Sequence, residues 1–315
     1  RGLGDVYKRQ MYDLAILGGG PAGVSAGVYA SRKQLKTVLI TKEWGGQSNV
    51  SEGIENWIGT VKISGPELAK ILKDHLLAYS GEIVDVKENE TIQNVSKTDN
   101  GFLVKTDKGE YEAKTVLIAT GSQRRKLTIP GAEEFENKGI TYCASCDGPI
   151  FSGQDVVVIG GGNAGFETAA QLLAYAKSVT LMTHGPFRAD PVTVKKVMSN
   201  PKMKALEYAT PIEIKGDKFV SSIVYQDDNS KITTEMPAGG VFVEIGLIPA
   251  TEFVKDLLPL NKYGQIVIDP KTQKTSISGV WAAGDSTDSV YHQNNIAAGD
   301  AVRALEDIYV DLHAK

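Results

Sequence analysis

The chain has 315 residues, 42% of them hydrophobic and 23% charged, with a formal net charge of −4. That length exceeds one ordinary core and points to two domains, while the weak acidic balance supplies no basic field for nucleic acid or an anionic membrane. Apolar runs such as TVLIAT and DVVVIG are far shorter than the ~20 residues of a membrane-spanning helix.

Residues 1–10, RGLGDVYKRQ, have no apolar signal core, and a strand pattern starts only after Met11. Met11 is therefore the expected start, with residues 1–10 a non-native leader. With no export signal and 2 cysteines, a disulfide-stapled secreted scaffold is excluded, and a reducing cytoplasm is the expected location.

The first periodic segment, YDLAILGGGPAGVSAGVYASRKQLKTVLIT (12–41), reads as strand, glycine turn, helix and strand. In such a turn the first glycine allows a tight bend, the second lets backbone approach a pyrophosphate, and the third lets helix pack on strand. PELAKILKDHLLAYSG then predicts an amphipathic helix from Pro66 to a stop at Gly81. FLVKTDKGEYEAKTVLIATG predicts a hairpin turning at DKG and leading into a core strand.

The opening unit recurs as DVVVIGGGNAGFETAAQLLAYAKSVTLMT (155–183). Gly18, Gly20 and Gly23 return as Gly160, Gly162 and Gly165, and Thr41 as Thr183, without a gap. Two dinucleotide sites are expected, each at a helix N-terminus whose free N–H groups and partial positive charge suit phosphates. Strand patterns around 211–245 are broken by KGDK and DDNSK, and the apolar segments QIVIDP and SGVWAAGD precede a long helix from about His292.

The expected fold class is α/β, with two Rossmann-like, three-layer ββα dinucleotide-binding domains, the second inserted into the first. Residues 11–122 and 249–315 form the first of these domains, and 123–248 form the second, which carries the CxxC pair.

Cys143 and Cys146 stand at i, i+3 in TYCASCDGPI. That spacing suits a reversible disulfide, in which one thiolate attacks a partner and the other resolves the mixed intermediate. A structural staple would close too short a loop to gain much, and His75, His184, His292 and His313 form no paired motif to complete a zinc site. No metal is expected.

Together GGGPAG (18–23), GGQ (45–47), ENWIG (55–59), IATG (118–121), CASCDG (143–148), GGGNAG (160–165) and GVWAAGD (279–285) resemble the low-molecular-weight thioredoxin reductases. These form class II of the pyridine nucleotide-disulfide oxidoreductases. Within them, YCASCDGPIF, GGGNAG and VFVEIGLIP are nearest in wording to the alkyl hydroperoxide reductase flavoproteins, without their N-terminal module.

The resemblance implies FAD held by Gly18, Gly20, Pro21, Ala22 and Gly23. Gly45, Gly46, Gln47 and Asn56 would lie along the flavin, with Thr120 and Gly121 at the same edge. Gly284 and Asp285 would serve the ribityl chain, and Gln293 and Asn294 the pyrimidine edge. At the second strand end Thr41 stands where an acid often binds the ribose, and Glu43 is the alternative ligand. For AAGD the competing reading is a plain helix cap.

For the redox pair, the resemblance implies that Cys146 faces the flavin, Cys143 attacks the protein substrate and Asp147 serves as acid, against a reading of DGP as simple turn chemistry. It implies thioredoxin or a glutaredoxin-like dithiol protein as acceptor, and a homodimer.

For the donor site, Gly160, Gly162, Asn163 and Gly165 match. The arginine pair expected for NADPH and the acid expected for NADH are both replaced by Thr183, His184 and Gly185, with only Arg188 retained. Three readings stand: NADH or NADPH bound through altered contacts, reduced ferredoxin as donor, or a flavin-binding redox sensor with little turnover.

Overall fold

The computed structural model describes residues 11–51 and 53–314; the expected leader lies outside them. The chain divides into two compact units, one of residues 11–51, 57–123 and 248–314, the other of 53–56 and 124–247.

The first unit opens with β1 (Tyr12–Gly19), α1 (Pro21–Arg32) and β2 (Thr37–Trp44). α2 (Gly65–Ser80) starts one residue before the expected Pro66, because Ser64 and Glu67 form a reciprocal capping box, and it stops at Gly81 with φ 48°. β3 (Val84–Glu88), β4 (Ile92–Thr98), β5 (Gly101–Thr106) and β6 (Glu110–Ile118) follow, β5 and β6 forming the hairpin around DKG.

β7 (Ser122–Arg124) leads into the second unit, which contains β8 (Ile140–Thr141), α3 (Ala144–Asp147), β9 (Asp155–Ile159), α4 (Asn163–Leu172), β10 (Ser178–Met182) and α5 (Pro191–Met198). It continues through β11 (Met203–Leu206), β12 (Ala209–Gly216), β13 (Val220–Asp227), β14 (Thr233–Pro237) and β15 (Gly240–Val243) to β16 (Leu247–Pro249), which pairs with β7. The chain then completes the first unit with β17 (Val280–Ala282) and α6 (Asn294–His313).

The first sheet has the order β3-β2-β1-β6-β5-β4, with β17 also paired to β6. β1 is flanked in parallel by β2 and β6, so both its edges are paired inside the sheet. Leu17, Ile40, Val116 and Ile118 pack with Val104, Val254 and Leu258 on one face. Gly27 of α1 approaches Leu39 and Leu76 closely, which brings the helical layer onto the sheet.

The second unit is a parallel sheet, β11-β10-β9-β15-β8, and an antiparallel meander, β12-β13-β14. Alternation along β9 divides its core. Val157 and Ile159 pack with Ile214, Val220 and Ile223 of the meander, whereas Val156 and Val158 pack with Phe166, Ala169 and Leu172 of α4. Both units are Rossmann-like, as the paired glycine segments imply. Among the described residues, no helix is long and apolar enough to cross a membrane.

Candidate active site

The contacts around each glycine loop separate packing from function. Gly18 sits at φ +123°, where a Cβ would overlap the carbonyl oxygen of Ala119, and a Cβ on Gly23 would overlap that of Gly18. Gly20 differs: at φ −78° its Cβ would find only Gly46 Cα, 4.0 Å away. It caps α1 without a side chain on the first amides, while Pro21 and Ala22 form the buried first turn.

The second loop repeats this. Gly160, at φ +136°, abuts the Glu244 carbonyl, Gly165 abuts the Gly160 carbonyl, and Gly162 has nothing within 4 Å. Asn163 opens α4 and accepts from the Asp190 N–H at 2.8 Å. An open glycine at an uncapped helix N-terminus lets a pyrophosphate reach free amides, so both loops fit a dinucleotide.

Other residues expected at the flavin meet at the same edge of the first sheet. Gln47 Nε2 donates to Ser122 Oγ at 3.1 Å and to Asp285 Oδ2 at 3.0 Å, so one amide ties three chain segments together. Ser48 donates to Asn294 Oδ1 at 2.8 Å, and Thr120 to the Ala250 carbonyl at 2.7 Å. Gly45, Gly46, Gly121 and Gly284 all take positive φ, as their tight turns require. Gln293, extended and exposed, is the N-cap of α6. Asn56 falls in the 53–56 segment grouped with the second unit.

Thr41 is buried and donates to the Glu43 carbonyl at 2.5 Å, placing its hydroxyl behind the loop and leaving Glu43 exposed at the mouth. A cavity of about 370 Å³ lies beside it, lined by Lys42, Glu43, Trp44, Lys73 and Glu88 among others. Glu88 accepts from Lys73 at 2.6 Å and Trp44 Nε1 at 3.1 Å, and these bonds, the lysine's first, hold its carboxyl below the usual range. Sequence reasoning missed this Trp44–Lys73–Glu88 group, because its members come from β2, α2 and β3.

Cys143 and Cys146 form a disulfide with Cα atoms 5.3 Å apart. Cys143 caps α3, and its carbonyl accepts from the backbone N–H groups of Cys146 and Asp147 at 3.2 and 3.0 Å. Both cysteines are half-buried. Asp147, the residue after Cys146, accepts a hydrogen bond from the Thr141 hydroxyl, which orients its carboxyl. Arg124 donates to the Tyr142 carbonyl, bracing the strand that leads into Cys143.

At the donor loop, Thr183 is buried and packs on Gly161, whose Cβ would lie 2.8 Å from its hydroxyl. His184 and Arg188 are exposed, and the Arg188 N–H donates to the Gly161 carbonyl at 2.8 Å. Behind the loop, Glu244 accepts from Thr168 at 2.8 Å and faces Arg124 at 4.0 Å; burial raises its pKa against both partners.

The sequence pattern of the pyridine nucleotide-disulphide oxidoreductases matches residues 12–301. The chain belongs to that family. Among its relatives it is 38% identical over 297 residues to a Bacillus subtilis (strain 168) protein named NADH dehydrogenase, covering 94% of this chain and 58% of that protein. It is 37% identical over 299 residues to a component of Pseudomonas aeruginosa alkyl hydroperoxide reductase, covering 94% of this chain and 57% of that protein. The chain thus spans less than three-fifths of these relatives. The thioredoxin reductase structure from Streptococcus pyogenes MGAS5005 is 35% identical, with a TM-score of 0.87, covering 98% of this chain and 100% of that one. The resemblance read from the sequence is borne out.

Proposed function

We propose that this chain is a flavin-dependent disulfide reductase that takes two electrons from a nicotinamide and delivers them through Cys143 and Cys146 to thioredoxin or a similar dithiol protein. The observation that carries the reading is the redox pair: a half-buried disulfide spanning one turn, next to an oriented carboxyl, in the same unit as a dinucleotide loop.

Gly18, Gly20 and Gly23 with the N-terminus of α1 hold the FAD pyrophosphate, and Gln47, Asp285 and Gln293 serve its flavin end. Gly160, Gly162 and Gly165 hold NADH or NADPH. Bound FAD supplies two-electron transfer between nicotinamide and disulfide. Opening the Cys143–Cys146 bond consumes two electrons and two protons. Cys143, as thiolate, displaces one sulfur of the partner's disulfide. Cys146 then attacks Cys143 in the mixed disulfide, restoring the internal bond and releasing the partner as a dithiol. Asp147 passes protons to the departing thiolates, and Thr141 keeps its carboxyl in place.

One observation supports a second reading of the donor. Thr183 turns into the glycine loop, so the end of β10 offers a nucleotide ribose neither a carboxylate nor an arginine pair. An electron carrier of ferredoxin type is that second reading. Anaerobic mixing with NADH, NADPH or reduced ferredoxin, followed at the flavin absorbance, separates the two, and thioredoxin with a disulfide dye then tests turnover. Replacing both Cys143 and Cys146 with Ser should leave flavin binding and donor reduction intact and abolish thioredoxin reduction. Retained thioredoxin reduction would refute the relay.

A further inference from the structure

Asp285, His292 and Asp300 meet at the ligand edge of the first unit. Sequence reasoning used His292 to mark a helix start and, with the other histidines, to set aside a zinc site. One ring nitrogen is hydrogen-bonded and the other faces a carboxylate. Nε2 lies 2.9 Å from the Ser289 carbonyl oxygen, which can only accept, so Nε2 carries hydrogen. Nδ1 lies 3.5 Å from Asp285 Oδ1, a charge contact rather than a hydrogen bond, so a proton arriving at Nδ1 would face a carboxylate that favours it.

The surrounding charges press the same way. Asp300, on the inner face of α6, has a side chain only 8% exposed; its Oδ1 receives Arg303 at 3.3 Å, and its Oδ2 is buried with no hydrogen-bond partner. Burial raises the Asp300 carboxyl's pKa; Arg303 pulls it down, Asp285 adds to the rise and His292 opposes it. Asp288, on the same loop, turns its Oδ1 to the Ile268 N–H at 3.2 Å. Asp285 and Asp300 thus both act on the imidazole, while Arg303 offsets Asp300. Asp285 is also the residue Gln47 reaches, and α6 starts two residues after His292, so the helix's positive end lies at the same edge.

We propose that His292 is a positioning residue of the flavin site, whose imidazole binds a proton more tightly when the flavin is reduced, and so links flavin reduction to pH across the neutral range. The inference rests on the reading of this unit as the FAD site. Two electrons and one proton enter the flavin, leaving one extra negative charge, and one further solvent proton binds His292 to compensate it. Histidine is the side chain suited to this, because its ordinary titration falls near neutrality. Lysine or arginine would supply a fixed charge instead.

The test is the midpoint potential of the FAD-loaded protein, measured against redox dyes from about pH 5 to 9, which brackets the ordinary histidine range. The expected wild-type profile has a steeper segment in which two protons rather than one accompany two electrons. His292→Gln should lose that segment and lower the potential on its acid side. His292→Lys should also lose the segment but keep the acid-side potential, because the charge stays without titrating. Asp300→Asn should move the segment to lower pH, since one carboxylate facing the imidazole is gone. A His292→Lys or His292→Gln profile matching wild type overturns this inference alone. If His292→Gln fails to retain flavin, His292→Lys and Asp300→Asn decide by the same readout. A wild-type protein that takes up no FAD on reconstitution overturns the FAD reading and this inference with it.

Discussion

Gly162→Ala isolates ligand binding from packing at the second glycine loop. An added methyl there meets nothing within 4 Å, and the backbone, at φ −92° and ψ −176°, is one alanine adopts without strain. The methyl itself should therefore cause no strain, and the gain of about 0.4–1 kcal/mol from restricting the unfolded chain is offset by alanine's poorer fit at the N-cap of α4, so the melting point should change little. A pyrophosphate drawn to the amides of α4 would meet that methyl at closest approach. Overpacking of this kind costs about 1–3 kcal/mol in a protein core. At about 1.4 kcal/mol per tenfold, that is a loss of roughly 5- to 150-fold in nicotinamide affinity. The assay is anaerobic stopped-flow reduction of bound flavin over a range of NADH or NADPH concentrations, beside thermal melts of both proteins. The flavin spectrum serves as internal control, since the proposal puts FAD on the other loop. Gly165→Ala is the contrast: its Cβ would overlap the Gly160 carbonyl, so it should fail by destabilisation. A Gly162→Ala protein that melts normally and keeps the wild-type dependence on nicotinamide concentration would refute the assignment of this loop to the donor's phosphates.

Two further outcomes follow from the same geometry. Glu244 has its folded-state pKa raised by burial, so the stability it contributes is full below the unfolded value and is lost as pH rises through the folded one. Glu244→Gln should therefore melt higher than wild type at neutral and alkaline pH and approach it in acid; melts across that range that run parallel to wild type would contradict the burial argument. Ser64→Ala removes the capping box of α2 and should cost about 0.5–2 kcal/mol, read as an earlier midpoint in denaturant with an unchanged slope.

What was legible in the sequence was whatever depends on backbone shape. Gly18, Gly23, Gly160 and Gly165 lack a side chain because a neighbouring carbonyl occupies its place, and a requirement that strict survives as a pattern a reader can find. The stop of α2 at Gly81 rests instead on a positive φ, with open space where its Cβ would be, and the DKG hairpin is closed by the Thr106 N–H on the Gly109 carbonyl. β3 and β4 were not singled out, since most of their residues are half-buried or exposed and the alternation is weak. The QIVIDP segment reads as apolar, yet Ile266 makes only isolated bridges, to Leu260 and Thr287, because its surroundings are turns closed by Asn261 and Asp269. α6 begins at Asn294 rather than His292, since Gln293 is still extended. The grouping of Asp285, His292 and Asp300 could not be read at all: their spacing follows no periodicity, and only the fold of one loop onto α6 joins them.

The two glycine loops also show where discrimination between dinucleotides must reside. They share the open central glycine and a buried threonine against the glycine turn, although β2 runs past Thr41 to Trp44 and β10 ends just before Thr183. Amides arranged alike attract any pyrophosphate alike. The difference therefore lies in side chains that the repeat does not share. Behind the first loop stands Ala119; behind the second, at the matching place, stands Glu244 with a carboxyl that burial inclines toward neutrality. Beside the first loop lies a cavity lined by Trp44, Lys73 and Glu88, which are bonded to one another, and the proposed reading gives it to the far end of the FAD. At the second, exposed His184 and Arg188 face solvent, contacts a ligand must order for itself. A group that fills a built cavity stays bound, whereas one that must order exposed side chains exchanges. That difference is the one required if FAD is to remain through the cycle while the donor comes and goes.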